Sequence, residues 1–351
     1  MASIKKPTVL HPHARPNKLG LTLRDYEGSM STLCAGCGHD SITAAIVRAF
    51  YELDTPPHMI AKLSGIGCSS KTPTYFVAGA HGFNSAHGRM PPIATGASAA
   101  NKQLSYIGIS GDGDSLSIGL GHLSHAIRRN VNMLYLIENN GVYGLTKGQF
   151  SASADIGTKS KRGEANRQSP IDPVMLALGL GATFVARSFS GDKEQLVPLL
   201  KAGLAHHGFA IIDVISPCVT FNDHDGSTKS YLHTRKHLMQ VLRADFVAPA
   251  NEITASYPEG GTTNVTLHDG SVVRLSKVAG DYDYTDRQAV YTQLQRIQSR
   301  GEVATGLLYL DTKAPDMHDM SGTVDVPLAQ MPFEALCPGS AKLAELQEAF
   351  R

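Results

Sequence analysis

The run Gly111-Asp112-Gly113-Asp114 and the pair Asn139-Asn140 place carboxylate, amide and unencumbered backbone where a diphosphate could be held through a divalent cation. Gly111 and Gly113 leave room for backbone to approach a ligand. Asp112, between them, offers a carboxylate to a hard cation. A carboxylate, an amide oxygen and a backbone carbonyl make a partial shell for Mg2+, which diphosphate oxygens would complete. Twenty-five residues separate Gly113 from Asn139, room for one crossover helix and one strand, so the Asn pair returns beside Asp112. A dinucleotide site is the competing reading. It needs G-x-G-x-x-G, and the position of its third glycine is Leu116. Asp112 would also repel a pyrophosphate unless a metal intervened.

The cysteines are the second chemical feature. Cys34 and Cys37 form C-x-x-C in LCAGCGHD. For that pair alone three readings stand open: small buried side chains, a zinc knuckle, or a redox dithiol. Cys68 in GIGCSSK and Cys218 in PCVTFND fall in motifs that converge with the GDGD turn. Four thiolates in one place can hold zinc or an iron–sulfur cluster, and spacing does not decide between them. Cys337 reads as a structural or exposed free thiol.

These motifs share a position relative to the elements around them. GIGCSSK follows an apolar strand at 58–64, GDGD one at 105–110, NNGVYG one at 132–138, and PCVTFND one at 209–216. A further strand is expected at 182–188. Helices are expected over 40–53 (capped by Asp40 or Ser41), after Pro91 and Pro92, over 115–129, at DPVMLALGLG and over 192–207. Apolar strands alternating with helices imply an α/β fold, a mostly parallel sheet covered on both faces. In such a sheet ligands bind beyond the carboxyl ends of the strands, so the four motifs should meet.

Residues 1–33 read as an irregular arm, 70–100 as a connection, and 144–170 as a polar loop with Lys159, Lys161, Arg162 and Arg167. Beyond about 244 a hairpin around His268-Asp269-Gly270, a helix at DRQAVYTQLQRIQSR and a strand at GLLYLD suggest a C-terminal extension, 245–351, packed on a core domain of 34–244.

Composition narrows the function classes. The chain has 351 residues, 32 Lys+Arg against 31 Asp+Glu, and a net charge of +1, which argues against a nucleic-acid binder. Its five cysteines are too sparse for a disulfide framework. No apolar leader opens the sequence, and the most apolar stretch, LALGLGATFVA, is too short to span a bilayer. A cytoplasmic setting with no membrane contact is expected.

The spacing of GDGD and NN resembles the diphosphate motif of thiamine diphosphate enzymes. Together with CAGCG, GIGCSSK, NNGVYGLTKGQ, SPCVTFND and His87-Gly88-Arg89, it resembles the β subunit of 2-oxoacid:ferredoxin oxidoreductases over about 30 to 240. The C-terminal GLLYLDTKAPDMHDM resembles the end of such subunits. The resemblance implies the thiamine diphosphate-binding fold. It implies one [4Fe-4S] cluster on Cys34, Cys37, Cys68 and Cys218, and Mg2+ on Asp112, Asn140 and the carbonyl of Val142. Cofactor contacts would come from Ile66, Gly67, Cys68, Ser69, His87, Gly111, Gly113, Asp114, Gly144 and Leu145. Lys71, on its own a surface lysine, would meet a 2-oxoacid carboxylate, and Leu145 would face the substrate side chain. The implied reaction oxidatively decarboxylates a 2-oxoacid with coenzyme A, yielding acyl-CoA and CO2, with electrons passing through the cluster to ferredoxin. GLTKGQ and SGDKEQL resemble members that use 2-oxoglutarate.

Thiamine enzymes need a glutamate against the aminopyrimidine, and no Glu here sits in a recognisable motif for it. In the family it comes from an α (or fused γα) subunit carrying the pyrimidine-binding domain, in a heterotetramer of two α and two β chains. Two alternatives remain at this level. One is a non-redox thiamine diphosphate decarboxylase with structural zinc. The other is a cluster-binding electron-transfer subunit without thiamine.

Overall fold

Continuous apolar runs in the sequence become the strands of one large sheet. The computed structural model describes residues 14–160, 163–221, 228–229, 238–241, 262–266, 272–276 and 283–350. In chain order the first elements are α1 (Gly38–Glu52), β1 (Ile60–Ser64), β2 (His81–Asn84), α2 (Met90–Ala100), β3 (Ser105–Gly111), α3 (Leu120–Arg128) and β4 (Met133–Asn139). A small hairpin, β5 (Val142–Tyr143) and β6 (Gln149–Phe150), precedes α4 (Pro173–Leu180), β7 (Phe184–Phe189), α5 (Lys193–Ala205) and β8 (Phe209–Ile215). There follow β9 (Leu238–Val241), β10 (Thr262–Thr266), β11 (Val272–Ser276), α6 (Arg287–Ser299), β12 (Val303–Leu310), α7 (Met317–Ser321), α8 (Phe333–Leu336) and α9 (Ser340–Glu348).

The sheet runs β2-β1-β3-β4-β8-β7-β12-β9. Its pairings are parallel except that β12 runs antiparallel to β7. Alternation along the strands divides the core. Met133, Tyr135 and Ile137 join one face with residues of α2, α3, α4 and α6. Leu134, Leu136, Ile107 and Ile109 join the other face with α1 and α5. The chain leaves β1 for the edge strand β2 and returns past β1 to β3, so the order reverses between β1 and β3. The crevice beyond the carboxyl ends of those two strands is where such a sheet binds ligands.

The structure departs from the sequence expectation in several places. The first helix starts at Gly38 rather than at Asp40, with Cys37 as its N-cap residue. The early start depends on close approach: a Cβ on Gly38 would lie 2.6 Å from Ser216 Oγ and 2.7 Å from Ser190 Oγ. Asp40 stands in the first turn instead, where its charge complements the helix dipole. The expected connection 70–100 contains β2, a four-residue exposed edge strand without an apolar run. The helix expected over 115–129 is a π turn, Gly113–Ile118, followed by α3. The polar loop contains β6, which pairs with β5 just before it. The segment expected to pack on the core contributes β12 to the sheet itself, beside β7. The expected hairpin appears as β10 paired with β11, while its turn residues lie outside the described ones. The arm is anchored by buried Tyr26, whose hydroxyl donates to Thr55 O at 2.9 Å.

Candidate active site

The carboxyl ends of β1, β3, β4 and β8 carry Gly65, Asp112, Asn140 and Ser216 as their next residues, and the parallel pairing brings them to one edge. Asp112 is buried, 1% exposed. Its Oδ2 accepts from Ser151 Oγ and, at 2.6 Å, from Ser153 Oγ; its Oδ1 faces the Asn140 N–H at 3.5 Å. Burial raises its pKa above the ordinary carboxylate value, and the two serine hydroxyls only partly offset that. A cation beside it would favour the charged form. Asn140 Oδ1 accepts from Val142 N at 3.1 Å, which folds the Asn-Gly-Val turn so that side-chain amide and backbone lie together. Asp112, Asn140 and the Val142 carbonyl are oxygen donors of the kind Mg2+ takes.

Asp114, an expected cofactor contact, follows in the same turn. Its carboxylate is occupied by the protein: Oδ1 accepts from His87 Nδ1, from Gly88 N at 2.7 Å and from Ile66 N at 3.2 Å, and Oδ2 accepts from Ser110 Oγ at 2.6 Å. Asp114 therefore locks the Ile66 loop and the His-Gly-Arg loop onto the GDGD turn. The glycines also have close neighbours within the protein. A Cβ on Gly65 would collide with the Asp114 carboxylate, and one on Gly113 would sit 2.5 Å from the Tyr143 ring. A Cβ on Gly111 would lie 2.9 Å from Ser69 Oγ. Gly67, at φ +144°, turns the chain into Cys68 through backbone that other residues rarely adopt. We expect Gly113→Ala to displace Tyr143, whose hydroxyl donates to Gly113 O at 3.0 Å. Overpacking of this kind costs about 1–3 kcal/mol, and a thermal melt should show the loss.

Cys34, Cys37, Cys68 and Cys218 form no disulfide. A Cβ on Gly144 would stand 3.4 Å from Cys68 Sγ and 3.8 Å from Cys218 Sγ, so both sulfurs lie against one stretch of backbone. Thr220 Oγ1, two residues past Cys218, approaches Cys34 Sγ at 3.9 Å. Gly38 N donates to Pro217 O at 3.4 Å, tying the C-x-x-C segment to the Cys218 loop. Burial pushes the Cys37 thiol up to about 12, with Glu138 and Cys218 adding to it. Burial also raises Cys68; Cys218 adds to that and Lys71 opposes it. Burial thus favours the protonated thiol at both positions. Cys337 is exposed and lies in the C-terminal segment. Among the described residues no three His, Cys, Asp or Glu groups close on an ion-sized point.

Sequence reading missed what lies beneath the thiols. Glu138, the last acid of an apolar strand, is fully buried, and burial raises its pKa well above the ordinary value, opposed by Thr72. Thr72 Oγ1 donates to both its oxygens at 3.1 Å. His39 Nδ1 lies 3.4 Å from Glu138 Oε2 and 2.6 Å from Ser216 Oγ, and burial lowers the His39 pKa to about 4. Thr72, His39 and Ser216 come from the segments carrying Cys68, Cys37 and Cys218, so one buried hub joins all three. The signal available was a lone acid ending a run of apolar residues. Of the other expected residues, Lys71 is half-buried on the turn after Cys68, its N–H donating to Cys68 O at 3.1 Å. Ile66 and Leu145 are exposed, at 38% and 49%.

The family model of the thiamine pyrophosphate enzyme C-terminal TPP binding domain matches residues 65–214, which contain the GIGC, GDGD and NN motifs. A Sulfolobus sp. protein named 2-oxoacid:ferredoxin oxidoreductase subunit beta is 41% identical over 210 residues, covering 60% of this chain and 68% of that protein. The chain belongs to the 2-oxoacid:ferredoxin oxidoreductase β-subunit family. The Mycobacterium tuberculosis member, 2-oxoglutarate oxidoreductase subunit KorB, is 44% identical over 54% of this chain and 51% of its own length. Across five curated relatives in this family the aligned region covers 51–68% of each. A solved structure of 2-oxoglutarate:ferredoxin oxidoreductase from Magnetococcus marinus, with 2-oxoglutarate, coenzyme A and succinyl-CoA bound, is similar to this β-subunit family chain. Its TM-score is 0.71 at 30% identity, over 88% of this chain and 91% of that one. The thiamine diphosphate-binding α/β fold expected for the family is thereby established. Among the described residues no helix is long and apolar enough to cross a membrane.

Proposed function

We propose that this chain is the cofactor-bearing β subunit of an enzyme that oxidatively decarboxylates a 2-oxoacid, with 2-oxoglutarate as the favoured substrate. Coenzyme A accepts the acyl group and ferredoxin the electrons. The observation that carries the reading is that an oxygen-donor site and four thiols outside any disulfide share one sheet edge. Asp112, Asn140 and the Val142 carbonyl hold Mg2+ and, through it, the diphosphate. Cys34, Cys37, Cys68 and Cys218 hold one [4Fe-4S] cluster. When bound, thiamine diphosphate supplies an electron sink for loss of CO2, and the cluster a one-electron acceptor beside it.

The chain's own residues bind and orient. Ile66, Gly67 and Ser69, with Gly111, Gly113 and Gly144, shape the cofactor cradle, and Asp114 supports it through His87. The Lys71 ammonium meets the 2-oxoacid carboxylate, supported by its place next to Cys68 and its partial burial. Exposed Leu145 faces the substrate side chain. The catalytic unit spans 34–244, with β12 completing its sheet. Glu138 is engaged with Thr72 and His39, which supports the reading that the glutamate acting on the aminopyrimidine comes from an α or fused γα subunit. The assembly is a cytoplasmic heterotetramer of two α and two β chains.

The test is anaerobic co-expression with the partner subunit, followed by a panel of 2-oxoacids with a viologen acceptor. We expect brown protein that bleaches with dithionite and turns over 2-oxoglutarate fastest, and a β chain that is inactive alone. Colourless, zinc-containing protein that decarboxylates without reducing viologen would establish the non-redox alternative. Brown protein without thiamine diphosphate would establish the electron-transfer alternative.

A further inference from the structure

Behind Asp112 a row of buried polar side chains crosses the sheet. Ser153 Oγ lies 2.6 Å from Asp112 Oδ2 and 2.8 Å from Asn139 Oδ1. Asn139 Nδ2 donates to Asp213 Oδ1 at 3.0 Å. Arg187 Nε donates to Asp213 Oδ2 at 2.8 Å, and its Nη2 to Asp172 Oδ1 at 2.6 Å. Asp172 caps α4, accepting from Val174 N at 2.8 Å and Met175 N at 3.1 Å, and also accepts from Gln298 on α6. Ser153, Asn139, Asp213 and Arg187 are all buried.

Burial disfavours the charged guanidinium, but Asp172 and Asp213 outweigh it and hold Arg187 above its ordinary pKa. Burial also pushes Asp172 up, yet Arg187 and the two cap amides bring it below the usual range. An ion pair this deep is weak evidence for stability, because hydrophobic residues of similar volume would serve as well. It does fix the orientation of whatever it touches. Here it fixes Asn139, the first residue of the Asn pair, and through Ser153 the Asp112 carboxylate.

We infer that Ser153, Asn139, Asp213 and Arg187 form one positioning chain that sets the Asp112 carboxylate for Mg2+. The inference rests on the reading of Asp112 as a metal ligand and deepens it. The residues touch no substrate and act through Asp112. Partners that orient a metal ligand from behind change metal affinity by about 10–100-fold when removed. Groups in one hydrogen-bonded network do not act additively.

The experiment uses the complex of this chain with its partner subunit, stripped of Mg2+ and thiamine diphosphate but not of iron. Mg2+-dependent binding of thiamine diphosphate is titrated calorimetrically well below the melting temperature, for wild type, Ser153→Ala, Asn139→Ala and the double variant. We expect each single variant to weaken binding about 10-fold, at unchanged iron content, with the double variant no weaker than about the same 10-fold. Single variants with wild-type affinity and only a lowered melting temperature would overturn the inference, as would a double variant weakened by the product of the two. Should Asn139→Ala fail to accumulate, the isosteric Asp213→Asn takes its place in the cycle with the same expectation. Wild-type complex that binds no thiamine diphosphate with Mg2+ would overturn the Asp112 reading itself, and the inference with it.

Discussion

Asp112→Ala is expected to strip thiamine diphosphate and Mg2+ from the protein while leaving its iron in place. The carboxylate is the charged oxygen donor of the proposed site, and burial deprives a cation there of compensating water. Removing partners behind a metal ligand already costs about 10–100-fold in affinity, so losing the ligand should cost at least about 100-fold. Turnover of the 2-oxoacid should fall in parallel. The substitution also removes the acceptor that the Ser151 and Ser153 hydroxyls share, leaving Ser153 only Asn139 Oδ1, which should lower the melting temperature. Asp112→Asn separates the two effects, since it keeps the shape and removes the charge. It should lose metal nearly as completely as Ala and melt closer to wild type. Thiamine retention by mass spectrometry and iron by colorimetric assay are the two readouts. If cofactor and iron were lost together, the two sites would not be independent units on the sheet edge; if both were kept, Asp112 would not be the metal ligand.

Cys218→Ala should bleach the protein. Cys218 Sγ and Cys68 Sγ lie against Gly144, and the Cys218 loop is bonded to the C-x-x-C segment through Pro217 and Gly38. A cluster needs all four corners held, so the anaerobically purified variant should lose the visible absorbance that dithionite reduces, together with most of its iron. Cys337→Ala, on an exposed thiol of the C-terminal segment, should keep both. Burial holds Cys37 near 12 and raises Cys68, whereas a metal ligand must be a thiolate. Loading therefore releases protons, and in vitro reconstitution should proceed better as pH rises from about 7 to 8.5. Full iron content in Cys218→Ala would remove that residue from the proposed shell. Zinc in place of iron in wild type would replace the cluster reading by a structural metal.

Much of this is legible in the sequence. The strands at 60–64, 105–111, 133–139 and 209–215 stood out as apolar runs because they are buried on both faces. The motifs followed those runs directly, so their convergence needed only the parallel-sheet rule. Edge strand β2 was not legible, because a four-residue exposed strand carries no apolar pattern. Nor was the start of α1 at Gly38, which depends on Ser190 and Ser216 far along the chain. Nor were the protein partners of the Asp114 carboxylate, because His87, Gly88 and Ile66 come from two other loops.

The sequence by itself determined the inventory: which oxygens and sulfurs this chain can offer, and which strand ends present them. Those follow from residue type and from periodicity, both of which are local. Only the tertiary structure decided which of these groups are held by other parts of the protein, and by which. It placed Asn139 against Asp213 and Arg187, Glu138 under the cysteine-bearing segments, and the Tyr143 ring over Gly113. The reason is that burial and hydrogen bonding act over a few ångströms in space. Partners tens to hundreds of residues apart leave no mark in either one's neighbourhood along the chain.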